Sequence, residues 1–258
     1  MSLVNDYKKQ YGWRDWPTVF KSLPSLQGKT VLDLGCGIGD LAAELVAHGA
    51  YVIGVDVNEE LIHEAQSRQI PNTEFRLGDL RKSYDFGIAA DGLWCSFAAA
   101  YFPDLPTVLT EWVQNLKPEG WIALTEIDDL FGHEPLSDRT KALLKTYTQD
   151  ALIAGRYDFY MGRKLQEYLL CSSFTVLKVL QLEDQEFSFS GSATLGVLDS
   201  WRSRFNRMKL LHNFCGSDYE QVQEEFLHCL TRNDHISTAK VYFCFATQKD
   251  SEGGHHYG

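Results

Sequence analysis

The stretch Val31-Leu-Asp-Leu-Gly-Cys-Gly-Ile-Gly39 decides the fold. It is a β-rich run that breaks into Gly-x-Gly-x-Gly just before an amphipathic segment, Asp40 to His48, which Gly49 closes. Glycines at a strand-to-helix turn admit tight backbone and let a ligand approach where a Cβ would block it. Two ligand classes use such a turn, a dinucleotide and another nucleotide-like cofactor. The dinucleotide pattern Gly-x-Gly-x-x-Gly, counted from Gly35, requires glycine at position 40, where Asp40 stands. An aspartate at that helix N-terminus also opposes a bound pyrophosphate, because such a terminus attracts anions.

Outward from this turn, short β-rich runs alternate with helical stretches, as a parallel βαβ sheet requires. Strands are expected at Thr30–Leu34, Tyr51–Val55, Thr73–Leu77, Gly92–Ser96 and Trp121–Glu126, with helices at Asp40–His48, Asn58–Gln69 and Leu105–Leu116. Asn58 is placed to cap its helix, and Lys117-Pro-Glu-Gly120 reads as a turn. Beyond the fifth strand, helices are expected at Leu136–Ala154, Gly162–Cys171, Ser192–Phe214 and Asp218–Leu230. A β-like run covers Thr175–Leu182 and a strong last strand Ala239–Ala246. Helical insertions after the fifth and sixth strands belong over the carboxyl edge of the sheet, where open α/β folds bind ligands.

The run Val31 to Gly39 resembles motif I of the class I S-adenosylmethionine-dependent methyltransferases, an acidic residue two before Gly-x-Gly-x-Gly. Val52-Ile-Gly-Val-Asp56, Phe75-Arg-Leu-Gly-Asp79-Leu80, Gly92-Leu-Trp-Cys-Ser-Phe97 with Tyr101-Phe-Pro-Asp104, and Leu116-Lys-Pro-Glu-Gly-Trp-Ile-Ala123 resemble that family's later segments in order. The likeness covers Thr30 to Glu126 and is greatest to the small-molecule, methyltransferase type 11 subgroup that includes quinone-biosynthesis enzymes.

The resemblance implies a Rossmann-like α/β fold. Its sheet has seven strands, mostly parallel with an antiparallel last strand, with helices on both faces and helical cap insertions. It implies S-adenosyl-L-methionine as cofactor, S-adenosyl-L-homocysteine as product, and a small-molecule acceptor. On this reading residues 1–29 form an N-terminal lid, 30–248 the methyltransferase domain with cap insertions at about 127–160 and 186–236, and 249–258 a disordered tail. Asp56 would accept both ribose hydroxyls and Asp79 would read the adenine amino group. Asp33, Gly35, Cys36, Gly37, Gly39, Val57, Leu80, Cys95 and Ser96 would line the cofactor. In the aromatic run Tyr7, Tyr11, Trp13 and Trp16, the last two candidates for cofactor contact are Tyr11 and Trp16, and the same residues suit ordinary core on the sheet's flank.

Methyl transfer from a sulfonium needs alignment and exclusion of water, and a base only where the acceptor must lose a proton. Glu126, Asp128 and His133 follow the fifth strand on the acceptor side and are the candidate catalytic groups, with Asp128 and Asp129 equally placed to cap the next helix. No metal is expected, because a partner ligand after the fourth strand is not evident. Rival functions are a methyltransferase acting on protein or RNA, and a non-catalytic S-adenosylmethionine binder.

Composition narrows the rest. The 258 residues carry 24 Lys plus Arg against 35 Asp plus Glu, a net charge of −11, which argues against affinity built on nucleic-acid phosphates. The longest mainly apolar stretch, Phe86 to Phe102, is interrupted by Asp91 and Gly92 and too short for a membrane span. Six scattered cysteines without a C-x-x-C pair and an N-terminus without an apolar leader point to a cytoplasmic protein with reduced thiols.

Overall fold

The computed structural model describes residues 3–82, 86–172 and 174–249; the tail from Asp250, expected to be disordered, lies outside them. In chain order the elements are α1 (Leu3–Gln10), a single turn at Tyr11–Trp13, α2 (Trp16–Phe20), β1 (Thr30–Leu34), α3 (Asp40–Ala47), β2 (Tyr51–Asp56), α4 (Glu59–Ser67) and β3 (Thr73–Leu77). Then follow β4 (Ala90–Ser96), α5 (Leu105–Trp112), β5 (Leu116–Asp128), β6 (His133–Glu134), α6 (Asp138–Ile153), α7 (Met161–Cys171) and β7 (Phe174–Leu182). The chain ends with α8 (Leu195–Arg207), α9 (Lys209–Cys215), α10 (Tyr219–Thr231), β8 (Ile236–Ser237) and β9 (Lys240–Gln248).

Seven strands form one sheet in the order β3-β2-β1-β4-β5-β9-β7, and β6 pairs with β8 in a separate ribbon. Strands β1 to β5 are parallel, while β9 runs antiparallel to both neighbours. This is the expected Rossmann-like α/β sheet. Strand order reverses between β1 and β4, so a crevice opens at their carboxyl ends.

The strands read as near-continuous apolar runs because both faces are covered. Val31, Trp94, Trp121 and Phe243 face one layer, in which Phe20 of α2 stacks on Trp94 at 5.4 Å. Leu32, Ile53, Leu93 and Leu124 face the other, against α5 and α7. Each such fully buried aliphatic side chain contributes about 1.5–3 kcal/mol relative to exposure.

Local signals account for most boundaries. Asn58 Oδ1 accepts from the N–H groups of Glu60 and Leu61 at 3.0 and 3.2 Å, starting α4 as expected. The expected turn at Lys117–Gly120 is instead looped out within β5. The ladder jumps from Ala90↔Leu116 to Gly92↔Trp121, with Glu119 at φ 60°. The helix expected over 192–214 starts at Leu195 and breaks at Met208, whose ψ of 61° is non-helical. No proline or glycine marks that break in the sequence.

Helix α1 adds a feature absent from the sequence reading, since its buried face includes a carboxylate. Asp6 is ion-paired to Arg207 of α8, and Lys8 to Glu64 of α4 at 2.6 Å. The chain then runs beside residues 183–185, with Gln185 N–H donating to Trp13 O at 3.0 Å. The N-terminal segment is thereby strapped across the carboxyl edge of the sheet to the cap.

One packing constraint is directly testable. Gly92 lies opposite Trp121 in the register, and a Cβ there would come within 2.1 Å of the indole. Gly92→Ala should therefore cost about 1–3 kcal/mol in urea unfolding, the usual range for overpacking. Gly12→Ala, which meets nothing within 4 Å, should leave the midpoint unchanged; equal midpoints for both variants would contradict this packing.

Candidate active site

The crevice is built from the loop after β1. Gly35 and Gly37 sit at φ 79° and 54°, where a side chain is strained. A Cβ on Gly35 would also strike Ala98 at 2.5 Å, and one on Gly37 the Tyr7 ring at 2.9 Å. Gly35 and Cys36 N–H groups donate to Val55 O at 2.8 and 3.1 Å, stitching the loop to β2. At the end of β2, Asp56 accepts from Gly37 N–H and Asn58 N–H, both at 2.9 Å. Each carboxylate oxygen keeps a free lone pair, so Asp56 is oriented and still open to hydroxyl donors.

Asp33 lies beneath this loop, 2% exposed, and its Oδ2 has no partner among the described residues. Burial, with the Asp56 charge second, pushes its carboxyl up to about 8. A buried carboxyl next to another carboxylate favours either a proton or a cation. Cys36 and Cys95 are buried thiols at the same end of the sheet. Ser96 Oγ is buried without a partner among the described residues, and Val57 is 61% exposed beside Asp56. Asp79 is engaged by Arg81 through both carboxylate oxygens at 3.0 and 3.1 Å, and the next residue, Leu80, is buried.

The aromatic run resolves into distinct positions. Trp16 is a core residue, 4% exposed against Trp94 and Phe97 at 6.3 and 6.1 Å. Tyr11 donates to Glu44 of α3. Tyr7 is the ring that lies over Gly37, a placement that follows from the docking of α1 on α8.

The three expected catalytic groups separate. Glu126 is fully buried and accepts from Ala100 N–H at 3.3 Å and Ile127 N–H at 2.8 Å. Burial raises its carboxyl to about 7, against the lowering by those two N–H donors. Asp128 is held by Arg163 at 2.5 Å, which makes it an ion-pair partner rather than a free base. Neither Asp128 nor Asp129 caps α6, because Ser137 does so through Thr140 N–H. His133 is 1% exposed in the β6/β8 ribbon. His235 Nδ1 donates to Gly191 O at 3.0 Å, so its Nε2 accepts from His133 Nδ1 at 2.9 Å. Burial first, then the neighbouring His235, lowers His133 to about 3, so it accepts a proton poorly at neutral pH.

Residues outside that expectation surround the crevice instead. Tyr7 and Tyr101 are 38% and 58% exposed, yet burial raises both phenols, Tyr7 to about 12. Tyr157 packs edge-on to Tyr101 at 4.8 Å, and its phenol is also raised by burial and by Glu126. Phe97 packs edge-on against Trp16 of α2 at 6.1 Å, and the Arg204 guanidinium of α8 lies over Phe187 and Trp201 at 4.9 and 5.4 Å. Tyr157 carries no local sequence signal, since it meets Tyr101 only through tertiary packing.

The sequence of residues 31–120 matches a methyltransferase domain family. Over 105 residues, 38% of each chain, it is 37% identical to nocamycin O-methyltransferase of Saccharothrix syringae. Over 174 residues, 65% of this chain and 72% of the other, it is 27% identical to ubiquinone biosynthesis O-methyltransferase of Leptothrix cholodnii. The chain thus spans about two fifths of the first relative's length. The fold is similar to that of an S-adenosylmethionine-dependent methyltransferase from Mesorhizobium loti, with TM-score 0.55 and 20% identity over 91% of this chain and 97% of that one. The glycine loop, Asp56 and the strand order point the same way as these matches: residues 31–120 are similar to a methyltransferase domain, and the fold is similar to that of S-adenosylmethionine-dependent methyltransferases.

Proposed function

We propose that this protein transfers a methyl group from S-adenosylmethionine to a small-molecule acceptor. The observation that carries the reading is the unpaired, buried carboxyl of Asp33 beside Asp56 under a glycine cradle open to a ligand. That donor set fits a cofactor with a cationic amino-acid end and a ribose. Asp33 would face the ammonium, and Asp56 the ribose hydroxyls, with Asp79, Val57 and Leu80 at the base. When bound, the cofactor supplies a methyl group already activated on sulfur.

The chain's own contribution is then alignment and exclusion of water. Tyr7, strapped over Gly37, covers the cradle. Tyr101 and Tyr157 wall the acceptor side. Glu126, with a carboxyl near 7, is the group suited to take a proton from a hydroxyl acceptor at neutral pH. The acidic surface favours a small acceptor over RNA. The absence of a disulfide among its six cysteines fits a cytoplasmic enzyme.

Methyl-labelled S-adenosylmethionine incubated with the protein and a cell extract should place label in the small-molecule fraction. Label confined to protein or RNA, or no transfer beyond a heat-denatured control, would overturn the reading. With a transferable acceptor, Glu126→Gln should lower single-turnover rates by about 10²- to 10⁴-fold, leaving S-adenosylhomocysteine affinity unchanged. Wild-type rates from pH 6 to 9 in that variant would remove Glu126 from the chemistry.

Asp33 gives a pH prediction. Its carboxyl is near 8 folded and about 3.9 in an unfolded chain. The protonated form therefore stabilises the empty protein fully below the unfolded value, and that stability is lost as pH rises through about 8. Asp33→Asn should melt above wild type at pH 8 without ligand. Because a cation favours the ionised form, S-adenosylhomocysteine should bind wild type more weakly at pH 6 than at pH 8, with proton release seen by calorimetry in buffers of different ionisation enthalpy. Asp33→Asn should lose both the tighter binding and the proton release; a pH-independent wild type would contradict this assignment.

A further inference from the structure

Five non-glycine residues of the described chain have a positive φ, and Phe97, at 56°, is the only aromatic among them. Gln69, Asn72 and Glu119 are exposed, and Asp129 has a short polar side chain that tolerates the left-handed region. A bulky side chain at that φ is a backbone outlier, kept only where its surroundings over-determine it. Phe97 directly follows β4, at the carboxyl edge of the sheet.

Contacts on every side hold it there. Phe97 N–H donates to Thr125 O of β5 at 2.8 Å. The half-buried ring is edge-on to Trp16 at 6.1 Å and tilted against Phe187 at 6.3 Å. The Arg14 guanidinium lies over the same ring at 4.6 Å and over Phe187 at 5.1 Å, so it is wedged between the two. Arg14 is fixed in turn by the buried Glu186 at 2.9 Å. The residue after Phe97 meets the glycine loop, because Ala98 lies so close to Gly35 that a Cβ on the glycine would come within 2.5 Å of its methyl group. Ala100 N–H donates to Glu126 at 3.3 Å, and Ala100 O accepts from Asp158 N–H at 2.8 Å. These bonds pin the far end of the segment, which leaves Phe97 to set the near end.

We infer that Phe97 is a positioning residue of the cofactor site: Arg14, Trp16 and Phe187, packed on its ring, keep its backbone left-handed, and that backbone sets Ala98 against Gly35 and so holds the glycine loop in the form that receives the cofactor. This inference deepens the methyltransferase reading and rests on it. The ring acts through the backbone, and no atom of Phe97 needs to touch the ligand. An L residue without the packed ring would relax out of the left-handed region and return to it only on binding, which lowers apparent affinity by the fraction of molecules in the competent form. A residue at ease with positive φ would need no ring.

Four substitutions separate backbone from packing. Glycine and asparagine accept a positive φ without a ring, whereas alanine and leucine do not, and leucine keeps the most apolar bulk of the four. S-adenosylhomocysteine is titrated calorimetrically into the full-length protein and each variant, with urea unfolding alongside to establish that each is folded. Phe97→Ala and Phe97→Leu should bind about tenfold more weakly than wild type, the equivalent of the left-handed penalty of an L residue. Phe97→Gly and Phe97→Asn should bind several-fold more tightly than those two, although both lose the ring. A core residue without a positioning role predicts the reverse order, with leucine best. That order, or equal affinities across the four at any level, would overturn the inference. The leucine and asparagine variants decide the order by themselves if the smaller residues prevent folding. Failure of S-adenosylhomocysteine to bind wild type would instead overturn the methyltransferase reading, so the two failures are separable.

Discussion

The site depends on two carboxyl groups held side by side at the carboxyl ends of β1 and β2. Asp56 is tied down by N–H groups on both oxygens, while Asp33 is buried with one oxygen unpaired. An isolated protein resolves that conflict by keeping a proton on Asp33. On the proposed function, a ligand bearing a cation would resolve it by replacing the proton, so that the cradle would give up stability when empty for affinity when filled.

A second buried charge cluster ties the N-terminal segment to α8. Glu186 joins Arg14 of the N-terminal segment to Arg204 of α8, and Asp184 reaches Arg14 at 3.5 Å with its own carboxyl raised to about 6 by burial. Removing one member would leave a buried charge uncompensated, which is far more damaging than removing a balanced pair. The same cluster sets the position of α1, and with it the Tyr7 ring over Gly37. Helix α1, helix α8 and the glycine loop are in this sense linked to one another.

The sheet was legible because its signals are local. Turn glycines, the Asn58 cap and apolar runs of strand length act within a few residues, and β1 and β3 stand where those signals place them. The acceptor side was not, because its partners are distant. Arg163 is 35 residues from Asp128, His235 is 102 from His133 and Arg207 is 201 from Asp6. Which aromatic of the N-terminal run meets the loop depends on that last pair, so Trp16 and Tyr7 could not be told apart by type. Spacing in the helices after β7 reads first as packing.

The most direct measurement of the central claim is the melting temperature with S-adenosylhomocysteine against that with NAD. A ligand that binds only the folded protein raises stability by RT ln(1 + [L]/Kd). S-adenosylhomocysteine should raise the melting temperature progressively with concentration, and NAD should leave it unchanged. Stabilisation by NAD, or none by S-adenosylhomocysteine, would contradict the account of the Asp33 and Asp56 cradle.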